Sequence, residues 1–254
     1  MRFEQREQER AAQPQPWCGD EAAGSAGGIA AAFALGRLAL LPDLSGALYL
    51  PDERTLVVAD LHLEKGSAFA ARGVLLPPYD SAATLRLLAG AIRRYSPLRV
   101  IALGDSFHDR GAQMRIDGEC LAMLRALQAG RDWLWVCGNH DPVISLAMGG
   151  SVVDALDLCG VRLRHEPSAV ATTPEIAGHL HPAAKVQIRG RRALRRRCFA
   201  LSPTRCVMPA MGAYAGGLNV RDAAFRPLFG MGFAAHILGD GRLFRIDHRL
   251  LLPD

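Results

Sequence analysis

Four short segments carry side chains that could act together: Asp60-Leu61-His62, Gly104-Asp105 running to His108-Asp109, Gly138-Asn139-His140-Asp141, and Gly178-His179-Leu180-His181. Six of the eight histidines lie in or between these segments, counting His165. Carboxylate, imidazole and amide oxygen together suit Mn, Fe, Zn or Co better than Ca or Mg. The set reads as the ligand chemistry of a two-metal hydrolase. Such ions sit about 3.5–4 Å apart, so one ligand must bridge them. Asp105 is the natural bridge, because a carboxylate has two oxygens and this one follows a glycine. Two dications bring four positive charges, and Asp60 and Asp105 remove two. The residual charge can activate water and still attract a phosphate. A neutral Asn139 preserves both effects, where a third carboxylate would weaken them.

Each segment follows an apolar, strand-like run: Thr55 to Ala59, Val100 to Leu103, Trp133 to Cys137, and Glu175 to Ala177. Between the first two, Leu85, Leu88, Ala89, Ile92 and Tyr95 mark one face of a helix. Pro77-Pro78 precedes that helix and Ser96-Pro97 stops it. Leu121, Leu124 and Leu127 predict a second helix, ended by Gly130. Helices alternating with strands argue for an α/β core, and ligands at the carboxyl ends of strands fit the general rule for such sheets. The later chain is richer in strands, expected over Val161 to Arg164, Lys185 to Arg189, Cys198 to Leu201, Arg205 to Met208, Ala234 to Leu238 and Leu243 to Ile246.

The ordered set D-x-H, G-D, G-N-H-D, a lone His and G-H-x-H resembles the calcineurin-like metallophosphoesterase superfamily. That resemblance implies a two-sheet β-sandwich flanked by helices, with a dinuclear metal site at strand C-terminal ends. It implies one metal held by Asp60, His62, Asp105 and His181, and a second by Asp105, Asn139, His165 and His179. His140 then corresponds to the family's non-ligand histidine facing the substrate phosphate, with Asp141 orienting and charge-stabilising its ring. The second motif departs from the phosphatase pattern, because His108 stands where many phosphatases have Asp. The version Gly104-Asp105-Ser106-Phe107-His108 is similar to the nuclease branch, which leaves His108 as either a support for the site or a substrate contact.

A narrower resemblance covers residues from about 40 onward. DLHLEKG (60–66), LLPPYD (75–80), GNHDP, EIAGHLHP and the later Pro209 to Tyr214 stretch resemble the PdeM family of ligase-associated DNA damage response endonucleases. It implies a metal-dependent phosphodiester hydrolase, a DNA endonuclease in repair, with in-line attack by a hydroxide bridging two divalent ions. Manganese is the expected metal, with iron or zinc as alternatives. The implied partners are DNA, a ligase-associated helicase and an ATP-dependent DNA ligase. Two other readings stand beside it. One is a phosphodiesterase or phosphatase for small nucleotides or other small phosphoesters. The other is a scaffold with a dead site, which a complete set of ligand types disfavours.

Composition bounds the rest. At 254 residues, half of them hydrophobic, the chain can bury a large core. Residues 1–27 are rich in polar and small residues without an apolar period and are expected to form a disordered extension. The metallophosphoesterase domain is expected over 28–254. Six cysteines without a CxxC pair fit free thiols in a reducing cytoplasm. The apolar run Gly28 to Leu41 is broken by Arg37 and too short to span a membrane, so no membrane partner is expected. Net charge is +5, carried almost wholly by arginine. From Lys185 to Arg197 there are cations and no acid. Arg191, Arg192, Arg195 and Arg196 are thus candidate contacts to a nucleic-acid backbone, against the plainer reading of a solvated face. His236 and His248 match no motif and are expected to be structural.

Overall fold

The computed structural model describes residues 32–254, apart from 189, 191 and 231. The expected N-terminal extension over 1–27 lies outside the described residues, as does Arg191.

Two sheets face each other. The first takes its strands in chain order: β1 (Phe33–Leu35), β2 (Leu38–Pro42), β3 (Leu48–Leu50), β4 (Thr55–Val58), β5 (Arg99–Leu103), β6 (Asp132–Val136) and β7 (Ser151–Val153). β1 to β4 pair antiparallel through short turns, whereas β4 to β7 are parallel. Parallel pairing needs crossovers, and helices supply two of them. α1 (Lys65–Ala70) and α2 (Asp80–Tyr95) fill the first; α3 (Ala112–Arg115) and α4 (Gly118–Gln128) fill the second. α2 stops at Ser96, which turns left-handed before Pro97. Asp117 caps α4 by accepting the Cys120 amide at 2.8 Å.

The second sheet contains β8 (Ala155–Leu158), β9 (Val161–Arg164), β10 (Glu175–Ala177), β11 (Pro182–Val186), β12 (Leu194–Ser202), β13 (Arg205–Val207), β14 (Leu218–Asn219), β15 (Ala234–Leu238) and β16 (Leu243–Asp247). Its main path runs β14-β11-β12-β13-β10-β9-β8, and β15 joins β12 to β16. β11 is a correction to the strand expected over Lys185 to Arg189. It starts at Pro182, directly after His181, because Ala183 to Val186 pair with Leu194 to Arg197 of β12.

Strand alternation explains how two cores form on either face of the first sheet. Leu56, Val58, Val100, Ala102, Trp133 and Trp135 point one way, into Leu85, Leu88, Ile92 and Leu124 of the helices. Val57, Ile101, Leu103 and Val136 point the other way, into Val161, Leu163, Ile176, Phe199 and Cys206 of the second sheet. A third cluster, with Phe225 and Phe229, covers the outer face of the second sheet. The architecture is the α/β, two-sheet sandwich flanked by helices that the motifs imply. Among the described residues no helix is long and apolar enough to cross a membrane. Cys120, Cys137, Cys159, Cys198 and Cys206 are free thiols.

Candidate metal centre

The first three motifs are the loops that leave the parallel strands. The β4–β5 ladder continues past the strand ends. Asp60 N–H donates to Gly104 O at 3.2 Å, His62 N–H to Asp105 O at 2.9 Å, and His108 N–H to Leu63 O at 2.9 Å. These bonds lock the Asp60–His62 loop to the Asp105–His108 loop. Two glycines then admit side chains that any Cβ would exclude. A Cβ on Gly104 would lie 2.3 Å from the His165 ring, and one on Gly138 would lie 2.2 Å from an Asp105 carboxylate oxygen.

The second sheet contributes the rest. His165 follows β9, and His179 and His181 follow β10, which pairs parallel with β9. The backbone carries a matching signature. Asp60, His62, Asp105, His179 and His181 all have positive φ, between 44° and 70°. Only nine non-glycine residues do so among those described. Left-handed backbone in non-glycine residues gathers where function imposes it.

Two adjacent groups of donors result. Asp60, His62 and His181 form the first, with His62 Nε2 3.2 Å from His181 Nε2 and His181 Nε2 3.4 Å from Asp60 Oδ1. Asp105, Asn139, His165 and His179 form the second. Asn139 Oδ1 is 3.0 Å from both His165 Nε2 and His179 Nδ1, those nitrogens are 3.2 Å apart, and His165 Nε2 is 3.4 Å from Asp105 Oδ2. Donors bound to one ion at about 2.0–2.2 Å stand roughly 3.0–3.4 Å from one another. Both groups therefore have the spacing of ligands around a cation. Asp105 borders both, since its charge also acts on His62.

The electrostatics agree. Asp60 and Asp105 are almost fully buried, and neither has an Arg or Lys partner among the described residues. Burial raises the Asp105 carboxyl, but the hydrogen bond and charge of His165 outweigh it and bring it to about 2. Burial likewise opposes protonation of His165, and Asp105 and Asp60 overcome this to lift the ring to about 9. The two carboxylates thus make a seat for positive charge, which a bound cation fills as well as a proton does. Burial and the neighbouring His181 push His62 down to about 3, so its ring is neutral with a lone pair to give. His165 Nδ1 lies 3.2 Å from Leu103 O, a carbonyl that can only accept. That contact puts the ring proton on Nδ1 and turns Nε2 inward. Transition-metal ions fit this donor set.

His140 stands outside both groups. Its Nδ1 donates to His108 O at 2.6 Å, and its Nε2 lies 3.9 Å from Asp105 Oδ2. The ring is partly exposed and faces the centre. His108 is buried, with its ring 5.2 Å from that of His140 and 5.5 Å from that of His62. Its carbonyl, rather than its imidazole, orients His140. A trio of His62, His108 and His140 also converges, but it lacks a carboxylate and His140 Nδ1 is already engaged.

One expectation is corrected. Asp141 does not hold the His140 ring. Its carboxylate accepts the amides of Ser106 at 2.8 Å, Phe107 at 3.0 Å and Gly138 at 3.0 Å, which ties the Asp105 loop to the Asn139 loop. Burial pushes this carboxyl up to about 6. In the Arg run, Arg192, Arg195 and Arg196 are all exposed. Arg195 donates to Gly217 O and pairs with Asp254, and Arg197 turns inward to Ala210 O. Sequence reasoning missed Lys65 and Arg72, whose charges help depress His108 to about 4 after burial, the larger cause. No motif drew attention to them, although Lys65 sits inside DLHLEKG. His236 and His248 pack against Phe33 and Phe233, away from the centre.

The chain belongs to the calcineurin-like phosphoesterase family, whose model matches residues 53–186, just over half its length. Among solved structures it is similar to the Pseudomonas putida nuclease MPE. The identity is 28% and the TM-score 0.65, over 85% of this chain and 99% of that one. The Escherichia coli phosphoesterase YfcE is more distant, at 14% identity and a TM-score of 0.38 over 76% of this chain and 98% of that one. No curated protein sequence matches significantly.

Proposed function

We propose that this protein is a dinuclear-metal phosphodiesterase that cuts DNA, an endonuclease of DNA repair. The observation that carries the hydrolase reading is the convergence of Asp60, His62 and His181 beside Asp105, Asn139, His165 and His179 at ligand spacing. Asp60, His62, Asp105 and His181 would hold one ion, and Asp105, Asn139, His165 and His179 the other, with manganese the first choice. Such ions supply Lewis acidity toward phosphoryl oxygens and a nucleophile at neutral pH.

The chain's own groups do the remaining work. His140, with Nδ1 held by the His108 carbonyl, presents Nε2 toward the centre and can pass a proton to the departing oxygen. Asp141 keeps the Asp105 and Asn139 loops in register by gathering three amides. Preference for DNA is supported by the nuclease among the similar structures, the His108 variant of the second motif, and the exposed Arg192 and Arg196. The endonuclease resemblance adds a helicase and an ATP-dependent DNA ligase as partners, and the free thiols fit the cytoplasm as the place of action. One comparison tests the reading. Nicking of supercoiled plasmid is set against hydrolysis of a small aryl phosphodiester, with added manganese and with a chelator. Manganese-dependent nicking is expected, and hydrolysis of the small ester with no nicking would move the assignment to small phosphoesters.

A further inference from the structure

α1 and the turn that follows it, residues 71–79, form a ledge beside His108. Phe69 of α1 lies against the His108 ring, with centroids 6.1 Å apart. Lys65 opens the helix and Arg72 follows it. Neither forms an ion pair among the described residues, unlike Arg115, which is matched by Asp109. Lys65 stands one turn before Phe69 and Arg72 just after the helix, so the packing of Phe69 on His108 sets both beside the centre.

Beyond Arg72 the chain exposes apolar side chains that solvent does not favour. Val74 is 50% exposed, Leu75 86% and Tyr79 68%. The base of this turn is pinned on several sides. Gly66 N–H donates to Asp80 Oδ2 at 3.0 Å, Glu64 N–H to Ser81 Oγ at 2.8 Å, Val74 N–H to Phe69 O at 3.0 Å, and Tyr214 O–H to Pro77 O at 2.8 Å. An apolar tip on a braced base, next to unpaired cations and a metal centre, has one occupant that matches all three features. Phosphates match the cations, and the faces of unstacked bases match the tip.

We infer that a nucleic-acid strand crosses this ledge next to the bond that is cut, with Lys65 and Arg72 on its phosphates and Val74, Leu75 and Tyr79 against bases that have left their stack. The inference rests on the nuclease reading and adds to it the path of the strand and a preference for unpaired or easily opened DNA. An intact, stacked duplex would offer the tip nothing but its backbone.

The test uses the full chain with a dye-labelled gapped duplex, an intact duplex of the same sequence, and a gapped duplex carrying 2-aminopurine at the gap. The wild-type protein should bind the gapped DNA more tightly than the intact duplex and raise 2-aminopurine fluorescence. Lys65→Ala combined with Arg72→Ala removes two phosphate contacts, so the slope of log affinity against log salt should fall by about 1.8. Between 50 and 200 mM salt that is roughly a 12-fold smaller loss of affinity than the wild type shows. Leu75→Ser combined with Tyr79→Ser should keep the slope, weaken gapped-DNA binding about tenfold, and abolish the fluorescence rise. Metal content should match the wild type in both variants. If wild-type protein binds DNA and both variants bind it with the same slope, affinity and fluorescence, the ledge serves another partner and the inference is overturned. If the wild-type protein binds neither DNA, the nuclease reading itself fails.

Discussion

Asp141→Asn replaces one oxygen by an amide in the most constrained part of the site. Asp141 is fully buried, and its two oxygens divide their work. Oδ2 accepts from Ser106 and Phe107, and Oδ1 accepts from Gly138. An asparagine can keep its carbonyl toward Ser106 and Phe107, but its NH₂ then faces the Gly138 N–H, donor against donor. A buried donor left without a partner costs about 1–3 kcal/mol. The two remaining bonds lose their charge assistance, which makes them roughly half as strong. Against these losses, removing a charge that burial disfavours returns part of the cost, as the rise of this carboxyl to about 6 indicates. A net destabilisation of about 2–3 kcal/mol follows, or a fall in melting temperature of about 4–12 °C for a domain of this size. Differential scanning calorimetry measures the fall, and elemental analysis should show metal lost in parallel, because the Asp105 and Asn139 loops part. A variant with unchanged melting temperature and full metal content but poor turnover would refute the bracing role. It would restore Asp141 as the partner of His140.

Other outcomes follow from the same geometry. Asp105→Asn should reduce metal content toward zero, whereas His181→Ala should retain about one ion per chain, both read by elemental analysis. His140→Ala should keep its metal and lose about 10²–10⁴-fold in turnover, least for an ester with a good aryl leaving group; loss of metal instead would make His140 a ligand or a structural support. Asp43, buried beneath Arg94 and Tyr95, illustrates pH linkage away from the centre. Burial opposes its ionisation, but hydrogen bonds from Ser45, Tyr95 and Arg94 prevail and hold its folded pKa below the ordinary 3.8. Its stabilisation is therefore complete above that value and is lost as pH falls through the lower folded one. Asp43→Asn should be less stable than the parent at pH 7 and show a shallower loss of stability below pH 4 in urea titrations.

Much of the site was legible because its information is local. A ligand type at the end of an apolar run reads directly, and the expected strands at Thr55, Val100, Trp133 and Glu175 each deliver their donors. Contacts between distant segments left no such trace. Asp141 reaches Ser106 across 35 residues, and a carboxylate beside His140 in sequence looks like its partner until the backbone directs it elsewhere. The partners of the Arg run were hidden for a related reason. Arg195 meets Gly217 O and Arg197 meets Ala210 O, contacts between distant segments that composition does not reveal. Arg72 lies outside every motif, and only the packing of α1 on His108 brings it beside the centre.

The donors come from two sheets, and the order of their making has a consequence. Asp60, His62, Asp105 and Asn139 hang from the first sheet, whereas His165, His179 and His181 hang from the second. The second is knit together by β12, which ends at Ser202, and by β15, which ends at Leu238. Synthesis proceeds from the N-terminus, so a growing chain can shape the first sheet long before the other donors are seated. A half-made chain thus carries scattered weak ligands and no complete centre. Phosphoester hydrolysis at this centre therefore requires both sheets to be in place, so the last strands of the second sheet gate the chemistry as well as the fold.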